Sequence, residues 1–153
     1  MAHYQDFTVC DYLSKPWEKW LCRLMAIGWI EHGYPFDKGP VDAAVVEKLR
    51  ALRAGFADAF PERRCRGLHD CSICERVDRA HARLEGSHVN LFIPHRGFVF
   101  LAPGRIDHHI EAHGYRPPES FSDAVMACPS PSSDKFRELL RLSNRGVDAP
   151  LYG

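Results

Sequence analysis

Two cysteines three residues apart, Cys71 and Cys74, followed downstream by His108, His109 and His113, constrain this chain more than any other feature. A C-x-x-C knuckle turns both sulfurs toward one point, and thiolate sulfur with imidazole nitrogen is the donor set a tetrahedral zinc ion takes. Two thiolates and two neutral imidazoles also cancel the charge of the dication, so such a site can be buried without a large desolvation cost. Between the two pairs lie two nearly continuous apolar runs, residues 89–93 and 98–101, separated by Pro94, His95, Arg96 and Gly97. That pattern predicts a β-hairpin with a four-residue turn and little exposure on either face. The order is then knuckle, hairpin, metal-bearing helix.

The remaining elements follow from periodicity. Val45, Leu49, Leu52 and Phe56 recur at helical spacing and predict an amphipathic helix over residues 41–55, with Lys48, Arg50 and Arg53 mostly outward, Pro40 at its start and Gly55 at its end. A short helix is expected from Cys74 to about residue 84, with Val77, Ala80 and Leu84 inward and Gly86 closing it. Pro103 and Gly104 open the helix that carries the histidines, and Gly114 supplies its left-handed C-terminal residue. Helices are expected over residues 118–127, with Phe121, Ala124, Val125 and Cys128 on one face, and over 133–142, with Phe136, Leu139 and Leu140 inward. The first forty residues are rich in aromatics (Tyr4, Phe7, Tyr12, Trp17, Trp20, Trp29, Tyr34, Phe36), with short strands or turns near residues 24–29. They read as core packing. The fold class is α+β: one zinc-stabilised domain over residues 1–153, in which knuckle, hairpin and metal-bearing helix are flanked by amphipathic helices.

The second pair of ligands is ambiguous by geometry. An ideal helix turns 100° per residue, so His109 and His113 lie about 40° apart and share a face, whereas His108 and His113 lie about 140° apart. Joining His108 to His113 requires the last turn to loosen, which Gly114 makes feasible. His69, beside the knuckle, reads as a residue behind the ligands, as a substitute ligand or as an acid/base. Asp70 reads as a partner for a ligand imidazole or as a solvated carboxylate. Cys10, Cys22, Cys65 and Cys128 read as small buried hydrophobes.

Several stretches carry a resemblance. Residues 26–30 (AIGWI) with 33–36 (GYPF), 67–74 (GLHDCSIC), 90–94 (NLFIP), Ala102-Pro103, His108-His109-Ile110, 113–118 (HGYRPP), Phe121 and Cys128-Pro129 resemble a family of small uncharacterised bacterial proteins along most of the chain. In that family tyrosine usually stands at the position of His109, while His108 and His113 match its histidines. The resemblance therefore implies Cys71, Cys74, His108 and His113 as the ligands of a Zn2+ ion. The family tends to carry apolar residues where this chain has Arg105 and Asp107, so the helix is expected to dock differently here. No established activity comes with the resemblance.

Composition narrows the functional classes. Lys plus Arg equals Asp plus Glu, at 20 each, so no global field draws the chain onto nucleic acid or anionic lipid. Its apolar stretches are too short to span a bilayer, and the N-terminus lacks the pattern of a signal peptide. Cytoplasmic residence is the expectation. Three uses follow. The first is a structural zinc domain that binds or regulates a partner, itself unknown but expected to be a protein. The second is a zinc hydrolase or nuclease, which needs an open coordination position. The third is a nucleic-acid module using nine Lys/Arg against five acids between residues 48 and 83. The first is preferred: four protein ligands close the coordination sphere, and neither H-E-x-x-H nor the zinc deaminase pattern is present. It carries the expectation that chelation unfolds or aggregates the protein.

Overall fold

In the computed structural model of the chain, which describes residues 3–10, 23–61, 69–80 and 87–143, the two apolar runs pair as a hairpin. Strands β2 (Asn90–His95) and β3 (Phe98–Pro103) are antiparallel, with Asn90 opposite Pro103 and His95 opposite Phe98. Only Arg96 and Gly97 remain for the turn, so the expected four-residue turn is a two-residue one. Pro94 stays in the ladder opposite Val99 because β2 is an edge strand, where a residue without an N–H is tolerated. A third strand, β1 (Leu24–Ala26), runs parallel to β3 and gives the order β1-β3-β2. The residues after it stay attached to the sheet: Ile27 N–H donates to the Leu101 carbonyl at 3.0 Å and the Trp29 indole to the same oxygen at 2.9 Å. Trp29 is wholly buried; Phe7 and Tyr34, also expected in the core, are about half exposed.

Helix α1 (Ala43–Ala59) buries Val45, Leu49, Leu52 and Phe56 as the periodicity requires. Its N-cap is Asp42, whose carboxylate accepts from Ala44 N–H at 2.9 Å. Gly55 does not end it. The helix passes through Gly55 because a side chain there would come within 2.9 Å of Pro131, so the missing Cβ admits a neighbour instead of breaking the helix. The knuckle carries a single turn, α2 (Ser72–Glu75), followed by a turn at Arg76 and Val77. Val77 is 90% exposed, contrary to its expected inward position, and Ala80 is exposed too. Residues 81–86, where that helix was expected to end, lie outside the described residues, as do Tyr12, Trp17, Trp20, Cys22 and Cys65.

Helices α3 (Ile106–His113), α4 (Glu119–Ala127) and α5 (Asp134–Ser143) complete the α+β arrangement. Helix α5 packs on β2 and β3, α1 and α4 on β2, and α1 also meets α3 and α4. Phe56, Phe60, Phe92 and Phe136 form the aromatic contact between α1, the sheet and α5, with the Phe56 and Phe136 rings edge-on at 5.4 Å. Phe121 and Val125 of α4 are fully buried, with Phe121 edge-on to Phe100 at 5.5 Å. No helix among the described residues is long and apolar enough to cross a membrane.

Candidate metal centre

The knuckle is a turn closed by its own backbone. Glu75 N–H donates to the Cys71 carbonyl, and Val77 and Asp78 N–H to that of Cys74, at 2.8–2.9 Å. This places both sulfurs on one side. Two outside bonds hold the turn in place: His69 N–H to the Ser87 carbonyl at 3.0 Å, just before β2, and His32 N–H to Ser72 Oγ at 3.0 Å.

Helix α3 supplies the other half, with Ile106 and Ile110 in the core and the histidines distributed around them. Its last turn is loosened. Gly114, at φ 69°, sends its N–H to both the His109 and Ile110 carbonyls, and Tyr115 N–H also reaches the His109 carbonyl. Bonds that reach back five and six residues widen the turn, and only a residue at ease in the left-handed region closes it this way. His113 is thereby carried toward His108, and the two rings meet edge-on at 5.0 Å.

The four groups converge. His113 Nε2 lies 3.2 Å from Cys71 Sγ and 3.3 Å from Cys74 Sγ; His108 Nε2 lies 3.3 Å from Cys74 Sγ. All four donor atoms fall within 4.8 Å of one another. Tetrahedral zinc at its usual bond lengths sets sulfur and nitrogen about 3.5 Å apart, so the group is close to the size such an ion requires. Burial, reinforced by the charges of His108 and Lys38, lowers the His113 pKa and keeps the imidazole neutral, as a ligand must be.

The other candidates point elsewhere. His109, which ideal helical geometry favours, is 2% exposed, and its Nδ1 donates to the Gly28 carbonyl at 3.0 Å. Burial holds its pKa down to about 4, so it is a neutral hydrogen-bonding side chain. His69 sets its ring edge-on to Trp29 at 5.9 Å, outside the four-atom group, and burial lowers its pKa. Asp70 buries one carboxylate oxygen that has no hydrogen-bond partner among the described residues. Cys10 and Cys128 are buried, and burial pushes the Cys128 thiol up to about 12, which leaves it unreactive.

Two supports around the centre have partners that the sequence did not identify. Asp107, 1% exposed, pairs with Arg53 at 2.6 Å and Arg50 at 3.3 Å, and Arg53 also donates to the Gly104 carbonyl. Arg50 further meets Glu47 and Glu111, and Arg105 approaches Asp107 at 3.4 Å. Arg50 and Arg53 are therefore turned toward α3 as well as toward solvent, and the helix docks through charge at Asp107. On the other side, Asp6 accepts from Gly28 N–H at 2.9 Å and from the Tyr115 hydroxyl at 2.7 Å, tying the N-terminal segment to the end of α3.

Fold and site together define a small α+β protein with a buried Cys2His2 group able to hold a metal ion. The chain belongs to the family described as Domain of unknown function (DUF7919), which matches residues 2–126. No curated protein and no solved structure matches it.

Proposed function

We propose that Cys71, Cys74, His108 and His113 hold one Zn2+ ion in a closed structural site, and that the whole chain, residues 1–153, is a zinc-stabilised domain that binds or regulates a protein partner in the cytoplasm. The convergence of the four donor atoms carries this reading. The chemistry of the set supports zinc over harder cations, which take oxygen. The commitment of Arg50 and Arg53 to Asp107 removes two charges from the basic stretch and weighs against nucleic acid as the partner. The test is elemental mass spectrometry of untagged protein purified without chelators, beside Cys74→Ala, His113→Ala and His109→Ala. About one zinc per chain, lost in the first two variants and kept in the third, is the expected result. Absence of metal from the wild type overturns the proposal.

A zinc hydrolase stands second on one observation: a cavity of about 330 Å³ adjoins His113. Turnover would need a coordination position beyond the four ligands. Zinc-dependent hydrolysis of a 4-nitrophenyl ester or phosphodiester by the wild type, abolished by chelation, would favour it over a structural role.

A further inference from the structure

The cavity beside His113 is built, not incidental. Residues 31–38 supply one wall of it, and the segment is pinned at both ends. His32 N–H bonds to Ser72 Oγ on the knuckle, Arg116 N–H to the Asp37 carbonyl at 2.9 Å, and Gly39 N–H to the Gly114 carbonyl at 3.2 Å. That segment, Ile73 of the knuckle and the end of α3 line an open cleft of about 330 Å³, a volume suited to a small molecule. Tyr34, Phe36, Ile73 and Ala112 supply the apolar part of the wall, and Glu31, His32, Lys38 and His113 the polar part.

Two polar groups in that wall are ready for a ligand. Lys38 holds its ammonium over the Phe36 ring, 5.2 Å from the centroid, and makes no ion pair among the described residues. His113 turns Nε2 to the two sulfurs, which leaves Nδ1 as its remaining hydrogen-bonding atom, and that atom has no partner among the described residues. A histidine bound to metal through one nitrogen nearly always donates the other N–H to a carboxylate, carbonyl or water, which fixes the ring and strengthens the ligand. Glu31, also in the lining, disfavours polyanions.

We propose that this cavity binds a small monocarboxylic acid with an apolar or aromatic body, its carboxylate accepting from His113 Nδ1–H and pairing with Lys38. This deepens the zinc reading and rests on it: an occupied ligand cavity would brace the half-buried histidine of the centre, so the domain would sense the acid through its metal site. The binding step involves no covalent change. Other sources of the same chemistry are the C-terminal carboxylates of peptides.

The test uses zinc-loaded wild-type protein, with metal content measured in each sample, and follows histidine imidazole and backbone resonances by NMR. Benzoate is the probe, benzamide its neutral control, and a tripeptide ending in a free phenylalanine carboxylate tests the other source. Saturable shifts confined to residues 31–38, 73 and 112–113 are expected with benzoate and not with benzamide. Lys38→Met should weaken binding at least tenfold while keeping one zinc per chain. Saturable binding of the peptide at least tenfold tighter than benzoate would support the same carboxylate site and identify its source as a chain terminus. Absence of saturable shifts with either carboxylate from protein that carries its zinc, equal binding of benzamide, or unchanged affinity in Lys38→Met overturns the cavity assignment and leaves the zinc reading standing. Protein without zinc overturns both, through the metal measurement.

Discussion

Asp107 sits at 1% exposure, and a carboxylate so placed is tolerable only while its partners stay. Its shortest pairing is to Arg53, itself 26% exposed at the side chain, so part of the attraction is screened. Removing one member of a buried pair typically costs about 3–5 kcal/mol, and the exposure of the arginine side reduces that to about 2–3 kcal/mol for Asp107→Ala. Urea unfolding of the zinc-loaded variant measures it; a loss under about 0.5 kcal/mol would show that the pair holds nothing. His109 makes a second residue-scale case. Its folded pKa of about 4 lies below the ordinary 6.5, so the unfolded chain binds the proton first. The stability it contributes is complete above pH 6.5 and is lost as pH falls toward 4. His109→Asn, which keeps a donor for the Gly28 carbonyl, should retain its zinc and show a shallower decline in stability between pH 7 and 5 than the wild type. Loss of zinc in that variant would contradict the assignment of His109 as a hydrogen-bonding residue. Here the sequence was legible only in part. Helical spacing pairs His109 with His113, and nothing in the residue types announces that the last turn of α3 widens.

At the scale of elements, that widened turn explains how a five-residue histidine spacing works. Gly114 closes it at φ 69°, where an L side chain is disfavoured by about 1 kcal/mol. Gly114→Ala should therefore destabilise the protein by about 1 kcal/mol, measured by urea unfolding. It should also weaken zinc retention in competition with a chromophoric chelator, because the turn sets the position of His113. Unaltered retention would mean that the knuckle alone sets the site. The other elements divide by how local their causes are. The hairpin and α1, α4 and α5 follow from apolar periodicity that is continuous in sequence, and they were readable. Gly55 was misread as a helix end because its role depends on Pro131, more than seventy residues away. Val77 was misread as inward because the helix expected to run on from Cys74 stops at Glu75, which leaves Val77 in the turn beyond it, facing solvent.

For the molecule as a whole, the buried apolar residues fall into two groups. Among the described residues, the larger joins the sheet, the segment just after β1, α1 and the three last helices; the smaller contains Cys71 and Cys74, and Ile73 packs against both. The knuckle has scarcely any hydrophobic stabilisation of its own. Helix α3 keeps Ile106, Ile110 and the Asp107 pairs whether or not metal is bound. This division changes what zinc removal should do. Unfolding or aggregation on chelation was the expectation from a zinc-centred reading of the sequence, whereas the separate core predicts a graded loss. Amides of Glu75, Val77 and Asp78, whose bonds close the knuckle, should lose their hydrogen-exchange protection, while those of α1 around Leu49 and Leu52 retain theirs. Zinc free at a thousand times its Kd adds about 4 kcal/mol, which for a chain of this size corresponds to roughly 10 °C in Tm. Calorimetry before and after chelation, paired with hydrogen exchange read by mass spectrometry, separates the possibilities. Loss of protection throughout α1 would make the zinc the nucleus of the entire fold. An unchanged Tm with the knuckle still protected would mean that the four side chains hold together without a metal, and the structural zinc proposal would fail.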